Sequence, residues 1–135
     1  MMEDTGKMMR DYLEAWNSHE VGMILSFFTE DCVYEDLALG TIANGKNELQ
    51  NFVNHVFVTL PDFRIKLKSL FYSDDWVGYE WVFTGTPSAP PPGNTSPPPD
   101  MGKKISIHGA SITELYEGKI KRNRDYGILP SNTSQ

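Results

Sequence analysis

Three observations predict an α+β fold in which helices in the first half are followed by a mostly antiparallel sheet. Apolar residues recur at helical spacing in three segments before Pro61. After Pro61 the pattern changes to two-residue alternation. Short turn sequences such as Ser73-Asp74-Asp75 and Glu117-Gly118 separate the alternating runs. Runs of helices and runs of strands kept apart along a chain are the pattern of an α+β domain.

Each element has its own signal. Met9, Tyr12, Leu13 and Trp16 form one apolar stripe at i, i+3, i+4 and i+7, which predicts a first helix broken at Asn17-Ser18. Val21, Ile24, Leu25 and Phe28 predict a short second helix over about 20–28. The period then becomes strand-like over Asp31 to Asp36, with a second short strand at Thr41 to Asn44. A third helix follows Gly45, carries Leu49, Phe52, Val53, Val56 and Leu60 on one face, and ends before Pro61. Beyond it, Phe63, Ile65 and Leu67 alternate with Arg64, Lys66 and Lys68, so that strand has one wet face. Trp76 to Thr86, about Lys103 to Tyr116, and Lys119 to Tyr126 read as three further strands. The seven prolines of the 87–99 stretch keep it out of a sheet interior, and it is expected to be a rigid surface loop, a lid or part of a dimer contact.

Composition narrows the functional classes. The chain of 135 residues allows one domain spanning 1–135, with a loose polar tail at 130–135. With 39% hydrophobic and 12% aromatic residues it can pack a core. A net charge of −6 and a single short basic cluster, Lys119 to Arg124, argue against nucleic acid. No apolar run approaches the roughly 20 residues that span a bilayer, so no membrane partner is expected. Without a signal-peptide pattern the expected location is cytoplasmic, and the Asn-Thr-Ser sequons at Asn94 and Asn132 carry no weight. Cys32 is the only cysteine and reads as a buried, inert thiol. His19, His55 and His108 lack metal-ligand spacing, so no metal site is expected.

A twisted antiparallel sheet curling over helices cannot fill its wide end with side chains alone, which leaves a cleft between the first helix and the strands. The aromatic residues Trp16, Tyr34, Phe52, Phe63, Trp81 and Phe83 are core or ligand-lining positions in such a shape, and they favour a small hydrophobic ligand with flat rings. His108, in the strand nearest the expected cleft, is the histidine placed to touch that ligand.

The segment Tyr12-Leu13-Glu14-Ala15-Trp16-Asn17-Ser18-His19-Glu20 resembles the first-helix signature of the nuclear-transport-factor-two-like superfamily, and Phe27 to Asp36 resembles its next block. Gly45 with Leu49 resembles its third-helix entry. Thr84-Gly85-Thr86, Gly102-Lys103 and Glu117-Gly118-Lys119-Ile120 resemble the SnoaL-like polyketide cyclase and ketosteroid isomerase branch. The resemblance covers about residues 5–129. It implies a cystatin-like cone, a curved sheet packed on three helices of the N-terminal half, and a sheet-to-sheet homodimer. It also implies catalysis without a cofactor on a polyketide- or steroid-like carbonyl compound.

The same resemblance implies site residues. Tyr12 falls where ketosteroid isomerases place an oxyanion-hole tyrosine, Asp36 where they place a general base, and Asp125 near the acid/base aspartate of SnoaL-like cyclases. In the position of the isomerases' second oxyanion donor stands Gly109-Ala110-Ser111-Ile112, which has no carboxylate, so Ser111 is the remaining hydrogen-bond donor there. Losing such a donor costs on the order of 100- to 1000-fold in rate, which argues against plain steroid isomerisation. Asp36 and Asp125 therefore both stand as candidate bases; against them stands solvated surface chemistry for each, and a plain core role for Tyr12. Two other readings remain. One is a non-catalytic ligand-binding or dimerisation module on the same fold. The other is an epoxide hydrolase-like Asp-Arg-Asp site, for which Tyr79-Glu80-Trp81 supplies no matching Arg and Asp.

Overall fold

A computed structural model describes residues 2–90 and 101–128, with side chains from residue 4 onward. The elements run α1 (Met2–Ser18), α2 (Val21–Leu25), β1 (Phe28–Asp36), β2 (Thr41–Asn44), α3 (Gly45–Thr59), β3 (Arg64–Ser73), β4 (Trp76–Gly85), β5 (Ile105–Tyr116) and β6 (Lys119–Ile128). All six strands join one sheet in the order β2-β1-β6-β5-β4-β3. Every pairing is antiparallel except β1 with β6, which is parallel. The tail at 130–135 and most of the proline-rich stretch lie outside the described residues.

The helices cover one face of the sheet because each presents a single apolar stripe. Met9, Tyr12, Leu13 and Trp16 of α1 are all buried, and α1 lies against β3. Asn17 fixes that contact: its Nδ2 donates to the Ile65 carbonyl at 2.9 Å and its Oδ1 accepts the Ile65 N–H at 2.7 Å. A side-chain amide thus stands in for a neighbouring strand at the sheet edge. In α3, Leu49, Phe52 and Val53 are buried against β1 and β2. Gly45 opens this helix at φ +85, a left-handed value that glycine adopts without strain. Glu48 in the first turn accepts the Asn44 N–H at 2.8 Å, which satisfies a donor and suits the positive end of the helix.

Two elements differ from expectation. The second helix stops at Leu25, and Phe28 already belongs to β1. Its ring is fully buried from the strand and meets Tyr12 edge-on at 5.6 Å, so an apolar residue that fits a helical stripe is recruited by the sheet. The last strand also runs two residues further than expected, to Ile128.

Bulges decide which side chains point inward. Between Leu67 and Ser69 the β3–β4 register shifts by one residue, so Leu70 and Tyr72 turn toward the helices and Phe71 turns out, 65% exposed. A second shift, at Glu114/Leu115, adds a residue to β6: Leu115 pairs with Ile120, but Glu114 pairs with Arg122. Counting by twos from the buried Ile120 would send Arg122 and Arg124 inward. The extra residue places Asn123 and Asp125 inside instead.

Candidate active site

Four adjacent strands each contribute an i, i+2 pair to the helix-covered face. These are Tyr34 and Asp36 from β1, Asn123 and Asp125 from β6, Ser111 and Thr113 from β5, and Tyr79 and Trp81 from β4. The register brings them level: Tyr34 beside Asn123, Asp36 beside Asp125, Ser111 beside both Asp125 and Tyr79. The Leu37 N–H donates to the Asp125 carbonyl at 3.0 Å and continues the β1–β6 pairing past Asp36.

Asp125 is the hub. Its Oδ1 accepts the Ser111 hydroxyl at 2.5 Å and the Asn123 amide at 2.8 Å, and its Oδ2 accepts the Tyr34 hydroxyl. Behind these partners, the Trp81 indole N–H donates to Ser111 Oγ at 2.8 Å. The hydroxyls of Thr113 and Tyr79 donate to Asn123 Oδ1 at 2.6 and 3.1 Å. A buried carboxylate without such partners would cost several kcal/mol. With them it remains chargeable. Burial pushes its pKa up to about 6, the nearby Asp36 carboxylate adds to that, and the Ser111, Tyr34 and Asn123 hydrogen bonds oppose it.

Trp81 can reach Ser111 because residue 109 is a glycine. A Cβ there would lie 2.4 Å from the indole ring and 2.6 Å from the Tyr126 carbonyl oxygen. The indole lies across that bare backbone and continues an aromatic wall: Trp81 meets Phe83 at 5.6 Å, Phe83 meets Phe63 at 5.2 Å, and Phe63 meets Trp16 at 5.5 Å. Phe52 packs on Tyr34 at 5.2 Å.

The other expected site residues fall in different places. Asp36 is half-buried at the end of β1, where its Oδ1 accepts the Leu39 N–H at 3.0 Å. Burial raises its pKa, against the backbone N–H groups of Leu39 and Ala38. Tyr12 is 1% exposed, wedged edge-on against Phe27 and Phe28. Burial, followed by Tyr79 and Asp125, holds its phenol well above the usual range. The phenol hydrogen-bonded to the carboxylate is that of Tyr34. His108 is exposed beside Val82 on the outer face, because it is out of phase by one residue with the inward positions Ile107 and Gly109. It does not join the network. Arg124, the arginine nearest in sequence, turns outward and meets Glu35 at 3.6 Å, so the described residues assemble no Asp-Arg-Asp set around Asp125. Cys32 is buried and burial raises its pKa, as expected of an inert thiol.

Asn123, Thr113 and Tyr79 are members of this site that motif reading passes over. Their signal was polar residues at i, i+2 on the inward side of strands whose other inward residues are apolar. An open groove of about 680 Å³ runs along the α1–β3 edge, lined by Arg10, Leu13, Glu14, Asn17, Arg64, Lys66 and neighbours. None of the side chains of the Asp125 network lines it, so volume and chemistry point to different places.

A curved six-stranded sheet over three helices is the architecture of the nuclear-transport-factor-two-like cones. The chain belongs to the SnoaL-like polyketide cyclase family, whose profile matches residues 6–127. It is 23% identical over 110 residues to the cyclase aurE of Calcarisporium arbuscula, covering 81% of this chain and 75% of that one. Among solved structures it superimposes on AclR from Streptomyces galilaeus with a TM-score of 0.77 at 18% identity, covering 95% of this chain and 91% of the other. On a SnoaL-like protein from Jannaschia sp. CCS1 the TM-score is 0.79 at 13% identity, covering 93% and 85%. At such identities the superpositions establish the fold alone. Membership of the family supports a function of the cyclase or isomerase type. No helix among the described residues is long and apolar enough to cross a membrane.

Proposed function

We propose that the protein is a cofactor-independent cyclase or isomerase in which Asp125 moves a proton on a small hydrophobic carbonyl compound. The observation that carries this reading is a buried carboxylate with its pKa raised to about 6, close to working pH and held by three donors. A base of that strength is mostly ionised at pH 7 yet still basic enough to take a proton next to a carbonyl. A carboxylate offers about four lone-pair positions, and the described residues occupy three. The fourth is left for substrate. The Tyr34 phenol, kept protonated by burial first and by the Asp125 charge second, is the donor nearest the reacting oxygen. It takes the oxyanion role that the resemblance assigns to Tyr12, whose ring stays in the core as support. Asp36 acts on Asp125 through its charge.

The aromatic wall from Trp16 to Trp81 ends at Ser111 and Asp125, which favours a flat, apolar substrate whose carbonyl is led to the carboxylate. A homodimer through the outer sheet face fits the exposed Phe71, Ile112, Tyr126 and Ile128 there. Ile112→Glu is then expected to halve the mass in sedimentation equilibrium without unfolding the chain.

The test is deuterium uptake. Flat hydrophobic ketones of the polyketide and steroid type are incubated with protein in D2O, and exchange at the carbon next to the carbonyl is followed by NMR. Asp125→Asn should slow exchange by about 100- to 10,000-fold, the range of a positioned acid/base group. Asp36→Asn should change it less than about tenfold. Saturable binding with no exchange by the wild type would establish a binding module instead. Undiminished exchange by Asp125→Asn would remove Asp125 from the reaction.

A further inference from the structure

The outer layer of the Asp125 network has a direction that follows from the chemistry of its donors. An indole N–H can only donate, so the Trp81–Ser111 bond obliges Ser111 Oγ to accept and leaves its single proton for Asp125 Oδ1 at 2.5 Å. Asn123 Oδ1 accepts two hydroxyls, from Thr113 at 2.6 Å and Tyr79 at 3.1 Å, which fills both its lone pairs. Its amide N–H group is therefore the end that faces Asp125, at 2.8 Å. Both inner donors thus converge on the same carboxylate oxygen, and both are turned that way by residues one layer further out. Among the described residues Oδ2 has one partner, the Tyr34 phenol, and that hydroxyl can rotate.

We infer that Trp81, Thr113 and Tyr79 are positioning residues that commit Oδ1 of Asp125 to accepting hydrogen bonds and thereby leave Oδ2 as the oxygen that exchanges a proton with substrate. A proton placed on Oδ1 would meet the Ser111 and Asn123 protons head-on; the Asn123 amide cannot turn away without breaking its bonds to Thr113 and Tyr79, and Ser111, one of whose two lone pairs is taken by Trp81, would have to swing its proton off the carboxylate. A proton placed on Oδ2 can take the lone pair that Tyr34 leaves open, and the Tyr34 hydroxyl can rotate away from it. The step balances within the pair: the C–H bond next to the substrate carbonyl breaks, its proton forms an O–H bond to Oδ2, and the electron pair moves onto the carbonyl oxygen. The freed Tyr34 proton is then available to that oxygen. Gly109 belongs to the same device, because a side chain there would push Trp81 off Ser111.

This inference rests on Asp125 being the base, but its test does not need substrate. The ionisable groups that face Asp125 are Tyr34 and Asp36 from β1, Tyr79 from β4 and Tyr12 from α1. Titrating the Asp125 carboxyl carbon by NMR in Thr113→Val, Trp81→Phe and Thr113→Ser separates them, since none of these changes alters a charge. Loss of an outer donor weakens the inner hydrogen bond it polarises, so Thr113→Val and Trp81→Phe should each raise the midpoint by about 0.5 pH unit, a roughly threefold gain in proton affinity. Thr113→Ser, which keeps the hydroxyl, should return it to the wild-type value. Amide spectra of each variant confirm that the fold is intact. Midpoints unchanged in both folded variants would overturn the positioning role. So would a Thr113→Ser variant that titrates like Thr113→Val, because packing would then be the cause. An unaltered deuterium exchange rate in Asp125→Asn would remove the base while leaving these midpoints as expected, so the two failures are distinguishable.

Discussion

The two faces of the sheet are built from the same strands and obey the same alternation, yet they treat polar groups in opposite ways. On the covered face, Asp125, Asn123, Ser111, Thr113 and Tyr79 are buried and bonded to one another. On the outer face, Arg124 faces Glu35 at 3.6 Å and Lys121 faces Glu114 at 3.7 Å, with all four side chains substantially exposed. Water satisfies the outer charges, so each pair contributes little. Inside, the groups are buried, and their donors find acceptors within the network. The comparison teaches that charged residues at a strand surface say little about function, whereas polar residues retained on an apolar face need a reason. Here the reason is a chargeable carboxylate.

Breaking the inner network should therefore cost far more than breaking an outer pair. The largest effect is expected from Asn123→Ala. It leaves the Tyr79 and Thr113 hydroxyls without an acceptor and removes a donor from Asp125, a loss of about 3 kcal/mol or more in urea denaturation. A loss below about 1 kcal/mol would mean that the inner network behaves like the outer pairs.

Next in size is a pH effect. The folded Asp125 binds its proton more tightly than an ordinary carboxyl, whose pKa is 3.8 against about 6 here. Its stabilising contribution is therefore complete below pH 3.8 and is lost as the pH rises through about 6. Across roughly two pH units this amounts to at most about 3 kcal/mol. Asp36, raised by burial too, acts in the same sense. Thermal unfolding followed from pH 4 to 7 should show this decline in the wild type and a flatter profile in Asp125→Asn. Equal slopes would show that the carboxyl titrates normally.

Gly109→Ala should cost about 1–3 kcal/mol, as overpacking does, because the new methyl meets both the Trp81 ring and a backbone oxygen. Trp81 fluorescence should shift as the ring leaves Ser111. The smallest effect belongs to the outer face: Arg124→Ala should change stability by less than about 1 kcal/mol, and 0.5 M salt should erase the difference.

Much of the fold was legible from spacing. The helical stripes of α1 and α3, the turn at Glu117-Gly118 and the alternation of β3 all lie where periodicity places them. Tyr34 and Trp81 were read as core or ligand-lining positions and Ser111 as a hydrogen-bond donor; the structure buries all three and gives them direct or relayed contact with Asp125. Which of Asp36 and Asp125 is buried at the centre of a hydrogen-bond network was not legible. Nor was the replacement of Tyr12 by Tyr34 beside the carboxylate, nor the outward turn of His108. Each depends on phase or on a neighbouring strand, and a one-residue shift reverses which face a side chain occupies.

The sequence by itself determined the order of helices and strands and the apolar stripes that would be buried, because both depend on interactions within a few residues along the chain. Only the tertiary structure decided that β1 lies parallel to β6, which brings Tyr34 to Asp125 across 91 positions. It also decided that one extra residue in β6 turns Asp125 inward and Arg124 outward. Strand pairing and bulge placement are settled by which arrangement of the whole sheet buries the most apolar surface with every hydrogen bond made, and no local window of sequence contains that sum.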